Sequence, residues 1–346
     1  MDLPDTFCED FHDKALCSEM EYRSFGKTGL KVSKLSIGGG VFGCYGSYDE
    51  NDAIETIHEA LKSGINYIDT APYYGNRESE KFYGKALKNV PRKAYYIATK
   101  VGRYEPDYKK MFDFSAKRTR ESVELSLKCL NLDYVDVIQI HDIEFAENLD
   151  IILNECLPEL EKVVKEGKAR FVGVTGYPLK TLKEIILAAP GKFDMVLSYS
   201  RYTLFDDSFK EYLQFFIDQK LGIVCASGHG LGLLTNSGPQ DWHPASEDIK
   251  EKCRKAAGLC KDSNVELGKL AAYYFTNLEG PSTFLSGMQS KELLRMNLKS
   301  LKNGLDKKEK EILRQLQETI FTKSVNWEGN EVDRYWNEMK KVKKSN

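Results

Sequence analysis

The chain has 346 residues, with 50 basic and 52 acidic side chains and a net charge of −2. The two signs are interspersed, which argues against a nucleic-acid partner, since such binders show a basic stripe. Hydrophobic residues make up 41%, enough for a sizeable core, yet no apolar run approaches the roughly 18 residues of a membrane span.

Residues 1–19, within "MDLPDTFCEDFHDKALCSEM", are acidic and lack the basic-then-apolar plan of a signal peptide. They read as a soluble tail, and the expected location is cytoplasmic. The eight cysteines are scattered without a C-x-x-C pair and read as reduced thiols. The histidines at 12, 58, 141, 229 and 243 show no ligand spacing, so no metal site is expected.

Taken in order, "MEYRSFGKTGLKVSKL" reads as a hairpin with turn signals around Gly26–Gly29. Its Gly26-Lys27-Thr28 mimics the tail of a phosphate loop, but the required first glycine falls at Glu21. "LSIGGGVFGCYGSYDE" then holds Gly38, Gly40 and Gly43 at the spacing of a dinucleotide-binding turn. That turn needs a helix opening on the third glycine. Here Cys44 to Tyr48 read as loop, and the first helical pattern starts later, capped by Asp49 or Asn51.

From this point apolar β-rich runs alternate with helical patterns. The runs are "KVSKLSIGG", "INYIDTA", "AYYIATK", "YVDVIQIHD", "ARFVGVTG", "DMVLSYSR", "GIVCASG" and "TFLSGM". "IKEKCRKAAGLCKDSNVELGKLAAYYFTN" reads as one long helix, and the helix after the last strand begins near Lys291. Eight strand–helix units without a linker predict one α/β domain over residues 20–346, a (β/α)₈ barrel ending in a C-terminal loop and helix. The hairpin is expected to close its bottom. The glycines then belong to a loop at the C-terminal end of the first barrel strand, the face that carries active sites.

Charged groups end three successive strands: Asp69, Lys100 and His141, with Tyr73 and Tyr74 just after the first and Asp142 after the last. Singly each has an ordinary structural explanation; together on one rim they form a constellation. A free tyrosine hydroxyl titrates near ~10, and a neighbouring Lys⁺ lowers that value by stabilising the phenolate. An acid aims the lysine, and a histidine can orient a substrate oxygen. This is an acid–base site for a carbonyl or hydroxyl. It has no activated nucleophile, so a hydride donor, a nicotinamide cofactor, is implied.

On "NYIDTAPYYGNRESE", "IATKVG" and "DVIQIHD", in this order, the chain resembles the aldo-keto reductase family from about Met20 to its end. The resemblance implies Tyr74 as proton donor, Asp69 and Lys100 as its tuning pair, and His141 as the group that orients the substrate. It also implies an NAD(P)(H) cofactor across the rim. Gly40 and Val41 would touch the cofactor beside Asp69, and Phe42, with Tyr74 and His141, would shape the substrate pocket. "GVTGYPLKTL", "VLSYSRYTLFD" and "GLGLLTNSGPQDWHPAS" make the chain most like the L-galactose dehydrogenase-like branch, and the last would hold the pyrophosphate.

The carry-over continues with departures. Thr175-Gly176 stands where most members grip the carboxamide with Ser-Asn, and Ser198, Tyr199 or Ser200 must serve for the strand-six glutamine. The stacking tyrosine falls at Ala226. Ser227, Gly228, His229, Gly230 and Leu231 form the phosphate loop, His229 through ring or backbone. Gly287, Met288 and Gln289 follow the last strand, and Asn297 matches the adenine contact. Gly287 and Leu293 occupy the positions where NADPH users place Lys or Arg, which favours NAD.

The expected function is oxidoreduction between an alcohol or hemiacetal and a carbonyl, on a small carbonyl or a sugar such as L-galactose. A general NADPH-dependent carbonyl reductase and a slow-turnover redox-sensing subunit are the alternatives. The expected state is a monomer or weak dimer. Trp242, Trp327 and Trp336 read as packing.

Overall fold

The computed structural model describes residues 3–44 and 48–344. Tyr45, Gly46 and Ser47, part of the loop expected after Gly43, lie outside the described residues. Strands β1 (Tyr22–Ser24) and β2 (Lys31–Ser33) pair as an antiparallel hairpin. Eight parallel strands follow: β3 (Leu35–Gly38), β4 (Tyr67–Asp69), β5 (Tyr96–Val101), β6 (Val135–Ile140), β7 (Ala169–Gly176), β8 (Met195–Tyr199), β9 (Gly222–Ala226) and β10 (Thr283–Ser286). They close in the order β10-β3-β4-β5-β6-β7-β8-β9, the (β/α)₈ barrel expected from the alternation.

The strands read as unbroken apolar runs because both faces are covered. Ala98, Val137, Leu197, Val224, Ala226 and Leu285 fill the barrel interior, while Ile97, Ile138, Val196 and Ile223 meet the helices outside. The hairpin closes the bottom. Phe25 is fully buried against Tyr67 at the start of β4, and the Lys27 N–H donates to the Lys220 carbonyl just before β9 at 2.9 Å.

Two elements differ from expectation. "KVSKLSIGG" is two strands, because Lys34 breaks the run where the hairpin hands over to the barrel. The long helix is also two, Glu247–Asp262 and Leu267–Thr276. Asn264 takes a left-handed conformation between them (φ 50°), and the Glu266 side chain caps the second. Ahead of the hairpin, the short helix Lys14–Glu19 is capped by Asp13. The Asn66 amide, at the start of the second barrel unit, donates to Thr6 Oγ1 at 3.0 Å.

Candidate active site

Side chains in a strand alternate faces, so the inward set is readable by period two. Tyr67 and Asp69 on β4, Ala98 and Lys100 on β5, and Val137, Gln139 and His141 at the end of β6 all face the barrel axis. The strand ends therefore bring Asp69, Lys100 and His141 to one spot.

The Lys100 ammonium contacts the Asp69 carboxylate, and both side chains are 1% exposed. It also donates to the Thr70 carbonyl at 2.8 Å and lies 3.4 Å from the Tyr74 hydroxyl. Gln139 donates from Nε2 to the second Asp69 oxygen at 2.7 Å. A buried ion pair is tolerated only with its remaining lone pairs satisfied, and Gln139 does this for Asp69. The lysine is thus anchored on two sides with its third donor turned to the phenol.

The His141 ring stands edge-on to the Tyr74 ring at 5.9 Å. Burial, reinforced by Lys100 and Arg103, holds its pKa well below the usual value. The ring is neutral at neutral pH and offers one donor and one acceptor nitrogen. Nε2 lies 3.5 Å from Asp142 Oδ2, and Nδ1 is buried without a partner among the described residues. Asp142 is held by Arg103 at 2.6 Å, and the Arg103 guanidinium lies 3.7 Å over the Tyr73 ring.

The opening glycines back onto this site. Ser79 Oγ donates to the Gly39 carbonyl at 2.8 Å. A Cβ on Gly43 would stand 2.6 Å from the backbone of Tyr74, so the turn bearing the phenol rests on that glycine. Gly40 and Val41 lie in the tight turn Gly39–Phe42, and Val41 packs directly on Gly287, joining the loops after β3 and β10.

Several expected contacts are placed otherwise. Phe42 is 1% exposed, stacked on Phe82 at 4.1 Å, so it packs beneath the loop and does not line a substrate pocket. Ser198 lies between inward Leu197 and Tyr199 and faces the helix layer, its hydroxyl buried without a partner among the described residues; Tyr199 is the inward residue. The His229 ring is tied to the Gly268 carbonyl at 3.0 Å, which leaves only its backbone to the loop. Met288 is 1% exposed within the outer core. Asn297 donates to the Leu293 carbonyl of its own helix at 2.8 Å.

Others keep polar groups that could serve a cofactor. Thr175 faces inward, takes the Asp142 N–H at 3.3 Å and keeps its own O–H as a donor. Ser227, Gly230 and Leu231 take left-handed conformations on either side of Gly228 and His229 (φ 58°, 59° and 53°), and the Ser227 and Gly230 N–H groups donate to the Leu285 and Ser227 carbonyls at 3.2 and 2.8 Å. Gly287 and Gln289 lead to the Ser290-capped start of the helix Lys291–Asn303, a favourable end for negative charge.

The aldo/keto reductase family model matches residues 34–318. The chain belongs to the aldo/keto reductase family. It is similar to the L-galactose dehydrogenase of Arabidopsis thaliana, 42% identical over 285 residues, 81% of this chain and 88% of that protein. It is similar also to the D-arabinose 1-dehydrogenase of Saccharomyces cerevisiae, 33% identical over 319 residues, 86% of this chain and 93% of that one. Among solved structures it resembles the holo form of an aldo-keto reductase from Bacillus halodurans. That match has a TM-score of 0.69 at 25% identity over 90% of this chain and 99% of the other.

This aldo-keto reductase is an oxidoreductase, and its family uses nicotinamide cofactors. The residues present could hold such a group: Thr175 would meet the carboxamide, the backbone of Gly228, His229 and Leu231 the pyrophosphate, and 287–290 the far end. Among the described residues no helix is long and apolar enough to cross a membrane, and no cluster of metal ligands occurs. Gln139, Arg103 and Glu144 were missed from the sequence. Gln139 carries a signal, lying two residues before His141 and hence on the same face. Arg103, in an isolated bridge with Phe112, and Glu144, in the short 3-10 turn Ile143–Phe145, lie outside the strands, where period two says nothing.

Proposed function

We propose that this chain is an aldose 1-dehydrogenase that oxidises a sugar of the L-galactose type at its anomeric carbon, with NAD as acceptor. The observation that carries the chemistry is the Lys100 ammonium, anchored on Asp69 and facing the Tyr74 hydroxyl at 3.4 Å. His141, neutral, hydrogen-bonds the anomeric oxygen and holds it toward Tyr74. The Tyr74 oxygen takes the hydroxyl proton as the hydride leaves the same carbon, and Lys100 stabilises the phenolate that accepts it. The bound nicotinamide supplies the hydride acceptor. The product is the lactone, and the same groups run the reduction of a carbonyl in reverse.

The sugar assignment rests on similarity to two proteins named as aldose dehydrogenases. The choice of NAD is supported by charge. Lys291 contacts the Glu55 carboxylate and lies 3.8 Å from Asp52, while Arg295 is clamped by Glu59 at 2.7 and 2.9 Å. Both cations near the expected 2′-phosphate position are thus paired with acids of the helix Glu50–Lys62. A phosphate there would meet three carboxylates rather than free donors.

Nicotinamide absorbance with purified protein tests the reading. L-galactose with NAD should give NADH, and NADP should lower kcat/KM at least about tenfold, the worth of one charge-assisted contact. Reduction of an aromatic aldehyde by NADPH, with no aldose oxidised by either cofactor, would make the chain a general carbonyl reductase.

A further inference from the structure

Next to His141 the structure gathers three carboxyl groups, of which Asp142 is paired with the Arg103 guanidinium at 2.6 Å. Glu144 accepts the Tyr177 N–H on Oε1 at 2.9 Å, while its Oε2 is buried without a partner among the described residues. Glu331, carried by the C-terminal helix Asn330–Lys344, lies 3.4 Å from the Trp327 indole N–H. The three acids share the neighbourhood of the inward-facing Tyr199 hydroxyl and act on it electrostatically.

Glu144 reaches this place because of a glycine. Its Oε2 stands 2.8 Å from where a Cβ on Gly176 would be. The departure from an asparagine at this position is therefore the space into which the Glu144 carboxyl is built. Burial, then the Asp142 charge, pushes that carboxyl well above the usual range, so it can donate as well as accept.

Glu144, Tyr177, Tyr199, Trp327 and Glu331 enclose a recess too small for a sugar ring but with room for a hydroxyl-sized group. Crowding acids together costs stability, as does an unpaired buried oxygen. A partner that brings hydrogen-bond donors offsets that cost. A simple aldehyde brings none.

We infer that this recess receives the hydroxymethyl arm of an aldose, its hydroxyl bonded by Glu144 and Glu331. The inference rests on the aldose reading above and names the residues that would read the sugar. The reacting carbon sits by Tyr74 and His141, at the ends of β4 and β6. The recess lies at the ends of β7 and β8, and neighbouring strands are about 4.8 Å apart. The near edge of the recess, at β7, is therefore one strand spacing and roughly one pyranose width from His141 on β6, within reach of the arm of a C1-oxidised hexose. Tyr177 and Trp327, stacked at 4.8 Å, wall it with aromatic surface.

The test compares L-galactose with its 6-deoxy counterpart. The wild-type protein should prefer L-galactose in kcat/KM by about tenfold or more, because a site built to bond a hydroxyl leaves its own groups unpaired when that hydroxyl is missing. In Glu144→Ala and Glu331→Ala the ratio should collapse toward one, chiefly through a raised KM for L-galactose. Glu144→Gln, which still offers a donor and an acceptor, should restore part of it. Variants that keep the full preference would overturn the inference while leaving the dehydrogenase assignment intact. If the wild-type protein oxidises neither sugar, calorimetric binding of both to the NAD complex separates the two ideas. Tighter binding of L-galactose, lost in Glu144→Ala, sustains the recess without the reaction. Equal or absent binding overturns the recess as well.

Discussion

At the scale of single residues, the site depends on how a phenol is held. Tyr74 sits on a turn, not on a strand, so its position needs a support that a turn lacks. Gly43 supplies that support: any side chain there would push on the Tyr74 backbone from 2.6 Å. Gly43→Ala should therefore lower kcat by up to about 10²-fold, the cost of moving a reacting group by an ångström. NAD affinity should change less than kcat, since the clash falls on the Tyr74 backbone; a loss confined to affinity would show that the glycine serves the cofactor instead. Tyr74→Phe removes the proposed proton carrier itself. Turnover should fall by at least ~10²-fold with the NAD dissociation constant little changed, and near-normal turnover in that variant would place the proton elsewhere.

At the scale of elements, one buried arginine ties two helices to the catalytic strand. Arg77 pairs with Glu80 at 2.7 Å and donates to Ser126 and Ser122, both at 2.9 Å. Glu80 is fully buried and also accepts Thr99 Oγ1 at 2.6 Å, the residue before Lys100 on β5. The helices Glu78–Ala86 and Ala116–Leu130 are thereby fixed against β5. Arg77→Leu would leave the Glu80 carboxylate buried without its cation. The expected loss is about 3 kcal/mol, read as the shift of the denaturant midpoint. The double variant Arg77→Leu, Glu80→Leu should recover much of it, because a hydrophobic pair need not be desolvated at that cost. If the single variant is as stable as the parent, the pair is not a fastener.

At the scale of the whole molecule, pH tests how the interior is assembled. His243 is buried; its Nδ1 accepts the Ala245 N–H at 3.0 Å, so Nε2 carries the proton and donates to the Gly230 carbonyl at 2.9 Å. Burial, against that Gly230 bond, lowers its pKa to about 4. Above pH 6.5 both folded and unfolded chains hold this ring neutral, and it costs nothing. As pH falls from 6.5 toward 4 the unfolded chain takes a proton that the folded one refuses, so folding loses at most about 3 kcal/mol. The raised carboxyl of Glu144 works in the opposite sense, destabilising as pH rises through its folded value. The difference in acid slope between wild type and His243→Gln isolates the histidine. Parallel slopes for the two would mean that the ring titrates normally.

Much of this protein is legible in its amino-acid order. Alternating apolar runs and helical patterns dictate the barrel, because strands covered on both faces must be apolar throughout and helices must not be. Period two then places Asp69, Lys100 and His141 on one face of three successive strands, and strand ends on one rim need no further information. What period cannot see is loops and long-range closure. Phe42 was expected at the substrate and lies under the loop, because its ring is claimed by Phe82. Ser198, Tyr199 and Ser200 were left open for the strand-six contact, and the register against Thr175, Gly176 and Cys225 puts Tyr199, not Ser198, on the inner face. Arg103, Glu144 and Glu331 come from two loops and a helix more than 180 residues further on, and only tertiary packing brings their charges together. The sequence alone determined the scaffold and the placing of Asp69, Lys100 and His141 on one rim, since both follow from local periodicity, while the turn residue Tyr74 was singled out by the family resemblance. The tertiary structure decided what surrounds them, since burial and pairing of charge are properties of neighbours far apart in the chain.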